Sequence, residues 1–332
     1  MPDTDLKETV KSYIYGSDHP DLQIYRKDFG TKFDVGTWLS AMRSRCDLGG
    51  FQNKRILEVG CGFGWDAVGL SLLGQNQVVA TDILPSMIDG TNECLATMKK
   101  NGKPLDIEAV QGDICNLDLP DGSFDGIYSS EAIEHVHDLK AMFARCHALL
   151  KSGGRLLIYN DSNRYNSEFR ESTFGMWKER DTSWEHARWL EAEIRPVEHK
   201  GAKPYAAMRE EIINEAAPGI DPDSRNRLVS ATAGMIRPQI FGAVKAFLND
   251  RKLPVPPTFS WCRNPETGEY AERLLDPFEL RDMLVAAGFR NVRLRHAFNR
   301  FPLRLANAIS FKPLNKFLFN LRGMFVLSAD RP

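Results

Sequence analysis

The chain has 332 residues, of which 42% are hydrophobic and 26% are charged. This is the composition of a globular protein with a buried core, and it excludes disordered and fibrous classes. The length predicts one elaborated domain, or a core domain with a substantial insertion. A formal net charge of −1 gives no overall attraction to nucleic acid or acidic lipid, so we expect no nucleic-acid partner.

The N-terminal residues and the cysteines predict the cellular environment. The chain begins MPDTDLKETV, with acids where a secretion signal has basic residues followed by an apolar stretch. No stretch of about 18 residues is free of charge, as a spanning helix requires. The six cysteines include no C-x-x-C pair, which argues against a disulfide framework and a zinc site. We therefore expect a soluble, cytoplasmic protein with buried thiols and no bound metal.

Residues 1–53 have a helical pattern, and we expect them to pack ahead of the core. Their predicted apolar anchors are Tyr13, Tyr15, Trp38, Leu39 and Met42.

Residues 54–161 alternate between short β-rich runs and helical stretches, which is typical of a parallel sheet with helices on both faces. Helices are predicted at about 65–74, 85–100 and 138–150. Ligands of such sheets bind at the carboxyl ends of the strands, so we expect function in the loops that follow them. The predicted strands are Arg55–Val59, Gln77–Thr81, Ile107–Gln111, Phe124–Ser129 and Gly154–Tyr159.

Residues 162–275 interrupt this rhythm and contain four tryptophans, at positions 177, 184, 189 and 261. Structureless connections beyond about 15 residues are uncommon in compact domains, so we predict a mostly helical cap. Its helical patterns lie near 183–194, 204–216 and 222–250. The tryptophans would either line an acceptor pocket or form a core for the cap itself.

Residues 276–332 return to the pattern of the core. Asp276 as N-cap, Pro277 at the first position and Gly288 past the end predict one helix. Strands are predicted at Asn291–Ala297 and Met324–Ala329. The segment Arg300–Arg322 between them has the composition of a basic amphipathic helix, which would lie on a membrane surface. Its two prolines favour an ordinary helical excursion over membrane contact.

The most informative motif is Ile56-Leu-Glu-Val-Gly-Cys-Gly-Phe-Gly-Trp65, an apolar strand that runs into three glycines at alternate positions. Glycines there let the chain turn sharply and let its backbone approach a ligand. The dinucleotide fingerprint is G-x-G-x-x-G, and the spacing here differs, which disfavours nicotinamide-dependent oxidoreduction. The acid Glu58 beside the turn suits a ligand with a positive amino group better than a pyrophosphate.

Three further strand ends carry polar groups. Val78-Val-Ala-Thr-Asp82 ends in a carboxylate that would accept both hydroxyls of a ribose. Gln111-Gly-Asp-Ile114 offers an acid and an apolar neighbour for an adenine ring. The fourth strand leads into Ser129-Ser-Glu131, which would face the same crevice.

Taken in order, these motifs resemble class I S-adenosylmethionine-dependent methyltransferases, particularly their small-molecule branch. The resemblance covers Leu57–Gly64, Asp82, Gly112–Asp113, Phe124–Val136 and Leu149–Leu157, together with the final helix and two strands. It implies a doubly wound, Rossmann-like α/β sheet of seven strands, mostly parallel with an antiparallel edge. It also implies S-adenosyl-L-methionine as cofactor and methyl transfer to a small-molecule acceptor.

The resemblance also assigns cofactor-binding residues. Glu58 and the turn Gly60, Cys61, Gly62 and Gly64 would shape the pocket for the methionine moiety, and Asp82 would take the ribose hydroxyls. The remaining contacts would be Ile83 and Met87 flanking the adenine, Asp113 and Ile114 binding it, and Ser130 facing the sulfonium.

Methyl transfer to a hydroxyl or an ammonium needs a general base as well as a positioned acceptor. His135 is the first candidate because it closely follows the fourth strand, although a structural role is equally compatible with its place. His137, Glu131, His186 and His199 are weaker candidates. The Asn/Asp-Pro-Pro-Tyr/Phe motif of nucleic-acid and protein amide methylases is replaced by Ser129-Ser-Glu-Ala, which disfavours those acceptors.

Two alternatives keep the cofactor site without methyl transfer. Related proteins use the sulfonium for cyclisation or elimination, and a protein that retains the fold can act as a non-catalytic binding module. The acceptor and the oligomeric state are left open by the sequence.

Overall fold

The computed structural model describes residues 3–31, 34–297, 312–321 and 323–332. Its centre is a seven-stranded sheet in the order β3-β2-β1-β4-β5-β7-β6. The first five strands are parallel, and β7 runs antiparallel to both of its neighbours. The predicted fold class is therefore confirmed. The strands are β1 (Arg55–Val59), β2 (Gln77–Asp82), β3 (Ile107–Gln111), β4 (Phe124–Ser130), β5 (Leu150–Asn160), β6 (Arg290–His296) and β7 (Phe325–Asp330).

Both faces of the sheet are covered, which explains the almost uninterrupted apolar runs of its central strands. Side chains alternate between faces, so Ile56 joins one core and its neighbour Leu57 joins the other. The first core contains residues of α4 (Trp65–Gly74) and α5 (Pro85–Lys100), and the second contains residues of α6 (Leu139–Leu149). The helices predicted from apolar spacing therefore lie where the sequence placed them.

The N-terminal segment packs on the first core through α1 (Asp3–Ile14), a 3₁₀ turn (Pro20–Leu22), α2 (Gln23–Thr31) and α3 (Val35–Gly49). Four of the five predicted anchors are buried, Tyr13, Trp38, Leu39 and Met42. The prediction for Tyr15 is wrong, because this side chain is 52% exposed. It follows the last residue of α1 and lies with its ring edge on Phe29.

The region between β5 and β6 is mostly helical, with two small cores of its own. The helical pattern near 222–250 forms two helices, because residues 232–236 separate them and Gly234 has a φ of +85°. A helix over 167–182 was not predicted. The elements are α7 (Ser167–Thr182), α8 (Trp184–Trp189), a π-helix (Leu190–Ile194), α9 (Tyr205–Ala216), α10 (Pro222–Ala231) and α11 (Arg237–Asp250).

Both ends of this insertion meet at one point of the core, where Leu275 N donates to Ser162 O over 2.7 Å. Within it, Trp177 is fully buried and its ring centroid lies 5.2 Å from that of Trp261. Trp184 and Trp189 are half exposed. The four tryptophans therefore divide between a core and a surface.

The C-terminal part supplies α12 (Pro277–Ala286), β6, α13 (Lys312–Leu321) and β7. Asp276 caps α12 as predicted, because its carboxylate accepts from Phe278 N over 2.8 Å. Residues 300–311 and 322 of the proposed amphipathic segment lie outside the described residues. In the part of the chain that is described, no helix is long and apolar enough to cross a membrane.

Candidate functional site

The glycine turn lies between β1 and α4, at the carboxyl edge of the sheet. Gly60, Gly62 and Gly64 have φ values of +73°, +53° and +72°, in the left-handed region that favours glycine. Their surroundings differ. A Cβ on Gly60 would lie 2.2 Å from the Cβ of Ala132, and one on Gly64 would lie 2.7 Å from the Tyr13 hydroxyl, whereas one on Gly62 would meet nothing within 4 Å. Gly62 therefore faces open space, whereas Gly60 and Gly64 allow Ala132 and Tyr13 to pack closely against the turn.

Asp82, the last residue of β2, holds this turn in place. Its Oδ2 accepts from Gly62 N over 2.9 Å, and its Oδ1 accepts from Leu84 N over 3.0 Å. Burial raises the pKa of Asp82, although these two backbone N–H groups oppose the rise. The carboxylate thus fixes the backbone on both sides, and each oxygen retains a lone pair for a ligand hydroxyl.

Glu58 lies beneath the turn and is 2% exposed. Burial raises the pKa of its carboxyl well above the usual range, and the charges of Asp66 and Asp82 raise it further. Its Oε2 makes no hydrogen bond. A buried carboxylate oxygen without a donor is unfavourable, and a positively charged amino group would supply that donor.

The loops after β2 and β3 lie side by side at this edge of the sheet. Gly112 N donates to Asp82 O over 2.8 Å, which brings the ends of the two strands together. Asp113 accepts from Cys115 N and from the Asn116 side chain, both over 3.0 Å. The three apolar residues predicted to contact the adenine differ in exposure: Met87 and Ile114 are buried, whereas Ile83 is 49% exposed.

The end of β4 carries Ser130 and a turn in which Glu131 has a φ of +48°. Glu131 accepts from Asp161 N over 3.0 Å, so this turn is fastened to the end of β5. Cys61 is buried, and its N–H donates to Thr81 O over 2.9 Å, which fastens the glycine turn to β2. The predicted cofactor residues of the four strand ends therefore lie along one edge of the sheet.

His135 lies between this edge and the helical insertion. Its Nδ1 is 2.9 Å from Tyr270 O, and its Nε2 is 3.7 Å from Glu134 Oε1. Burial opposes protonation of the imidazole, but the charges of Glu134 and Glu272 outweigh it and raise the pKa of His135. The other proposed histidines make different contacts: His137 is 3.9 Å from Asp113, His186 packs on Trp189, and His199 is next to Glu198. The charge of Glu134 acts on the remaining candidate, Glu131.

The insertion is tied to the N-terminal segment by Asp21, which is fully buried. Its two carboxylate oxygens accept from Val197 N over 2.7 Å and from Glu198 N over 3.0 Å. Arg195 is 2.7 Å from Glu198, in an ion pair whose angles are not those of a hydrogen bond. The positive charge of Arg195 opposes the rise that burial causes in the pKa of Asp82.

Sequence reasoning missed Asp21, Arg195, Glu198, Tyr270 and Glu272. The first three meet only because residues 20–22 and 195–199 pack together, and the last two approach His135 from more than a hundred positions away. Glu134 was missed as well, although it is adjacent to His135 in a turn that the sequence had already singled out.

Comparisons with known proteins agree with this geometry. The methyltransferase domain family (Methyltransf_11) matches residues 57–158. Phosphoethanolamine N-methyltransferase 3 of Arabidopsis thaliana is 30% identical over 135 residues, which cover 40% of this chain and 26% of that protein. A ubiquinone biosynthesis O-methyltransferase of Xanthomonas euvesicatoria is 31% identical over 137 residues, which cover 41% of this chain and 54% of that protein.

A solved structure of phosphoethanolamine N-methyltransferase 2 from Haemonchus contortus has the same fold, with a TM-score of 0.50 and 14% identity. It covers 97% of this chain and 60% of that one. The matches to the first curated relatives span between about a quarter and about half of those proteins' length. Together with the glycine turn and Asp82, the family match shows that residues 57–158 of this chain are a class I S-adenosylmethionine-dependent methyltransferase domain, with S-adenosylmethionine as its cofactor.

Proposed function

We propose that the chain transfers the methyl group of S-adenosylmethionine to an oxygen or nitrogen atom of a small molecule, such as a natural-product, glycan or lipid-linked intermediate. The observation that carries this proposal is the open space at Gly62 beside the fixed carboxylate of Asp82, inside the segment that matches the methyltransferase domain. The relatives are named for phosphoethanolamine, ubiquinone biosynthesis and a sterol, all of which concern small molecules.

In this proposal the cofactor lies along the strand ends. Its amino group would meet the unpaired Glu58 oxygen, and its methionine moiety would pass over the open face of the turn at Gly62, with Gly60, Cys61 and Gly64 supporting that turn. The ribose hydroxyls would bond Asp82, and Ser130 would face the sulfonium. The adenine would lie among Ile83, Met87, Asp113 and Ile114, of which Met87 and Ile114 are already buried.

The reaction itself depends mainly on positioning. A lone pair of the acceptor attacks the methyl carbon, the bond from carbon to sulfur breaks, and its electron pair stays on sulfur to give S-adenosylhomocysteine. The acceptor's proton must leave as the new bond forms. We propose that the group formed by Glu134, His135 and Glu272, which follows the end of β4, promotes the loss of this proton.

We propose that residues 162–275 form a cap that binds the acceptor. Two observations support this role. The cap contacts His135 through the backbone carbonyl of Tyr270, and it leaves Trp184 and Trp189 half exposed. It also binds the turn after β4 directly, because Arg273 donates to Val136 O over 2.7 Å.

The test is cofactor binding by Gly62→Ala, with Gly102→Ala as the matched control. Both glycines have positive φ, and neither would bring a Cβ within 4 Å of another residue, but Gly102 lies between α5 and β3, at the amino end of the sheet. A Cβ at a left-handed φ should lower the free energy of unfolding of each variant by a similar amount, about 1–2 kcal/mol. Only Gly62→Ala should weaken S-adenosylmethionine binding, by about tenfold or more.

Isothermal titration calorimetry measures the affinity for S-adenosylmethionine. Methyl transfer is measured as the release of S-adenosylhomocysteine when pools of candidate acceptors are added. Equal affinity in the two variants would remove the turn from the cofactor site. Release of methylthioadenosine instead would indicate cyclisation or elimination, and cofactor binding without any product would indicate a binding module.

A further inference from the structure

We propose that Glu134, His135 and Glu272 bind one divalent metal ion beside the acceptor position. One ligand atom of each residue lies within 4.8 Å of the other two. The proposal reverses our expectation from the sequence, which considered only cysteine patterns typical of zinc sites. The role of the ion in methyl transfer rests on the proposed function. Binding of the ion does not, because it is independent of the cofactor.

The spacing of these atoms suits a shared cation better than direct contact. His135 Nε2 and Glu134 Oε1 are 3.7 Å apart, beyond the range of about 2.7–3.2 Å for a hydrogen bond. Imidazole nitrogens and carboxylate oxygens bind zinc at about 2.0–2.2 Å, so two such ligands of one ion are separated by no more than about 4.4 Å. The separation of His135 Nε2 and Glu134 Oε1 falls within that limit.

Each of the three side chains is oriented by a second group, as metal ligands usually are. The Tyr270 carbonyl lies 2.9 Å from His135 Nδ1, so this nitrogen donates and Nε2 carries the free lone pair. The Asn160 amide donates to Glu134 Oε2 over 2.5 Å, and the Ser162 hydroxyl contacts Glu272. With these side chains so held, one ligand atom of each residue stays within 4.8 Å of the other two.

The charges point the same way. Two carboxylates and one imidazole converge here, and Glu134 is only 3% exposed. Arg273 lies close by but donates to the backbone oxygens of Ile133 and Val136. A divalent cation would offset the repulsion between the carboxylates. Oxygen and imidazole ligands without sulfur favour Mn²⁺ or Zn²⁺.

A second group, Asp113, Cys115 and His137, also has converging ligand atoms. The Cys115 thiol already has a partner, because its Sγ lies 3.5 Å from the backbone oxygen of Asp138. Both Asp113 oxygens already accept hydrogen bonds, from Cys115 N and the Asn116 side chain. We therefore place the ion at the group that contains Glu272. A variant of His137, in the second group, serves as the control.

An ion at this position would have three protein ligands and open coordination sites, the arrangement of catalytic rather than structural centres. An acceptor oxygen bound there would have its pKa lowered and would be held near the methyl group. His135 would then be a ligand that positions the ion, not the base. Within the proposed function, this narrows the acceptor to a molecule with an oxygen that can bind a metal.

The experiment titrates Mn²⁺ into the chelator-treated, full-length protein without cofactor, and follows free Mn²⁺ by electron paramagnetic resonance. We expect one equivalent to bind, at least tenfold more weakly in Glu272→Gln and unchanged in His137→Gln. Wild-type protein that binds no Mn²⁺ or Zn²⁺ would overturn the proposal, as would loss of binding in His137→Gln alone.

A spectroscopic measurement tests the same site without any variant. Co²⁺ bound by Glu134, His135 and Glu272 gives d–d bands without a thiolate charge-transfer band, whereas such a band would place the metal on Cys115 and refute the assignment. Calorimetry with S-adenosylmethionine is run on the same samples. Cofactor binding without metal binding defeats this inference alone, and metal binding without cofactor binding defeats the proposed function alone.

Discussion

Asp82→Asn is the substitution whose effect follows most directly from the structure. An amide keeps the shape of the side chain but offers only one acceptor atom, so either Gly62 N or Leu84 N loses its partner. A hydrogen bond to a charged group contributes about 1.5–3 kcal/mol. We expect the free energy of unfolding to fall by about that amount.

Cofactor affinity should fall separately, because the ribose hydroxyls lose a charged acceptor and the glycine turn is held less firmly. We expect a loss of about 1–3 kcal/mol, which corresponds to roughly 5- to 150-fold in dissociation constant. Asp82→Ala, which removes both acceptors, should exceed Asp82→Asn in each measurement.

Urea unfolding and calorimetric titration with S-adenosylmethionine measure the two effects. The exposed Asp118 provides the control, since Asp118→Asn makes the same change of charge away from the strand ends. Unchanged affinity in Asp82→Asn would exclude Asp82 from the cofactor site. Unchanged unfolding would refute the argument that its carboxylate fixes the turn.

Two further predictions concern the cap. Burial raises the pKa of Glu198 to about 7 from its ordinary 4.5, so this group's contribution to stability is complete below the unfolded value and is lost as the pH rises through about 7. Glu198→Gln should remove that loss. The difference in unfolding free energy between this variant and wild type should therefore change by about 2–3 kcal/mol between about pH 5 and pH 8. A difference that does not vary with pH would contradict the raised pKa of Glu198. Replacing residues 163–274 with a short linker should retain cofactor binding while abolishing methyl transfer, because Leu275 already bonds to Ser162 and the cofactor residues lie outside the cap. Transfer at the native rate in a soluble truncated protein would show that the acceptor site lies elsewhere.

The three glycines of the turn show why a motif alone does not define a contact. All three have positive φ, so each would be strained by a side chain. Only Gly62 has open space where that side chain would be, because Ala132 approaches Gly60 and the Tyr13 hydroxyl approaches Gly64. The spacing therefore predicted the turn, and the packing of the turn after β4 and of α1 decided which glycine faces the crevice.

The sequence by itself determined the sheet and the edge on which the site lies. Strands β1 and β3 have the predicted bounds, and β2 and β4 differ by one residue at their ends. These predictions succeeded because alternation of side chains and the conformational freedom of glycine act within a few neighbouring residues. β5 begins four residues earlier than predicted, because Leu150 pairs with Phe124 ahead of an irregular step in the ladder.

Only the tertiary structure decided which polar groups meet. Glu272 and Tyr270 approach His135, and Asp21 binds the backbone of Val197 and Glu198, across separations of more than a hundred residues. Nothing in the local sequence distinguishes these residues from solvated acids or surface aromatics, because their roles arise from burial and from partners that the fold supplies. Local periodicity determines where a strand ends, whereas the chemistry at that end depends on the packing of the cap and the N-terminal segment against it.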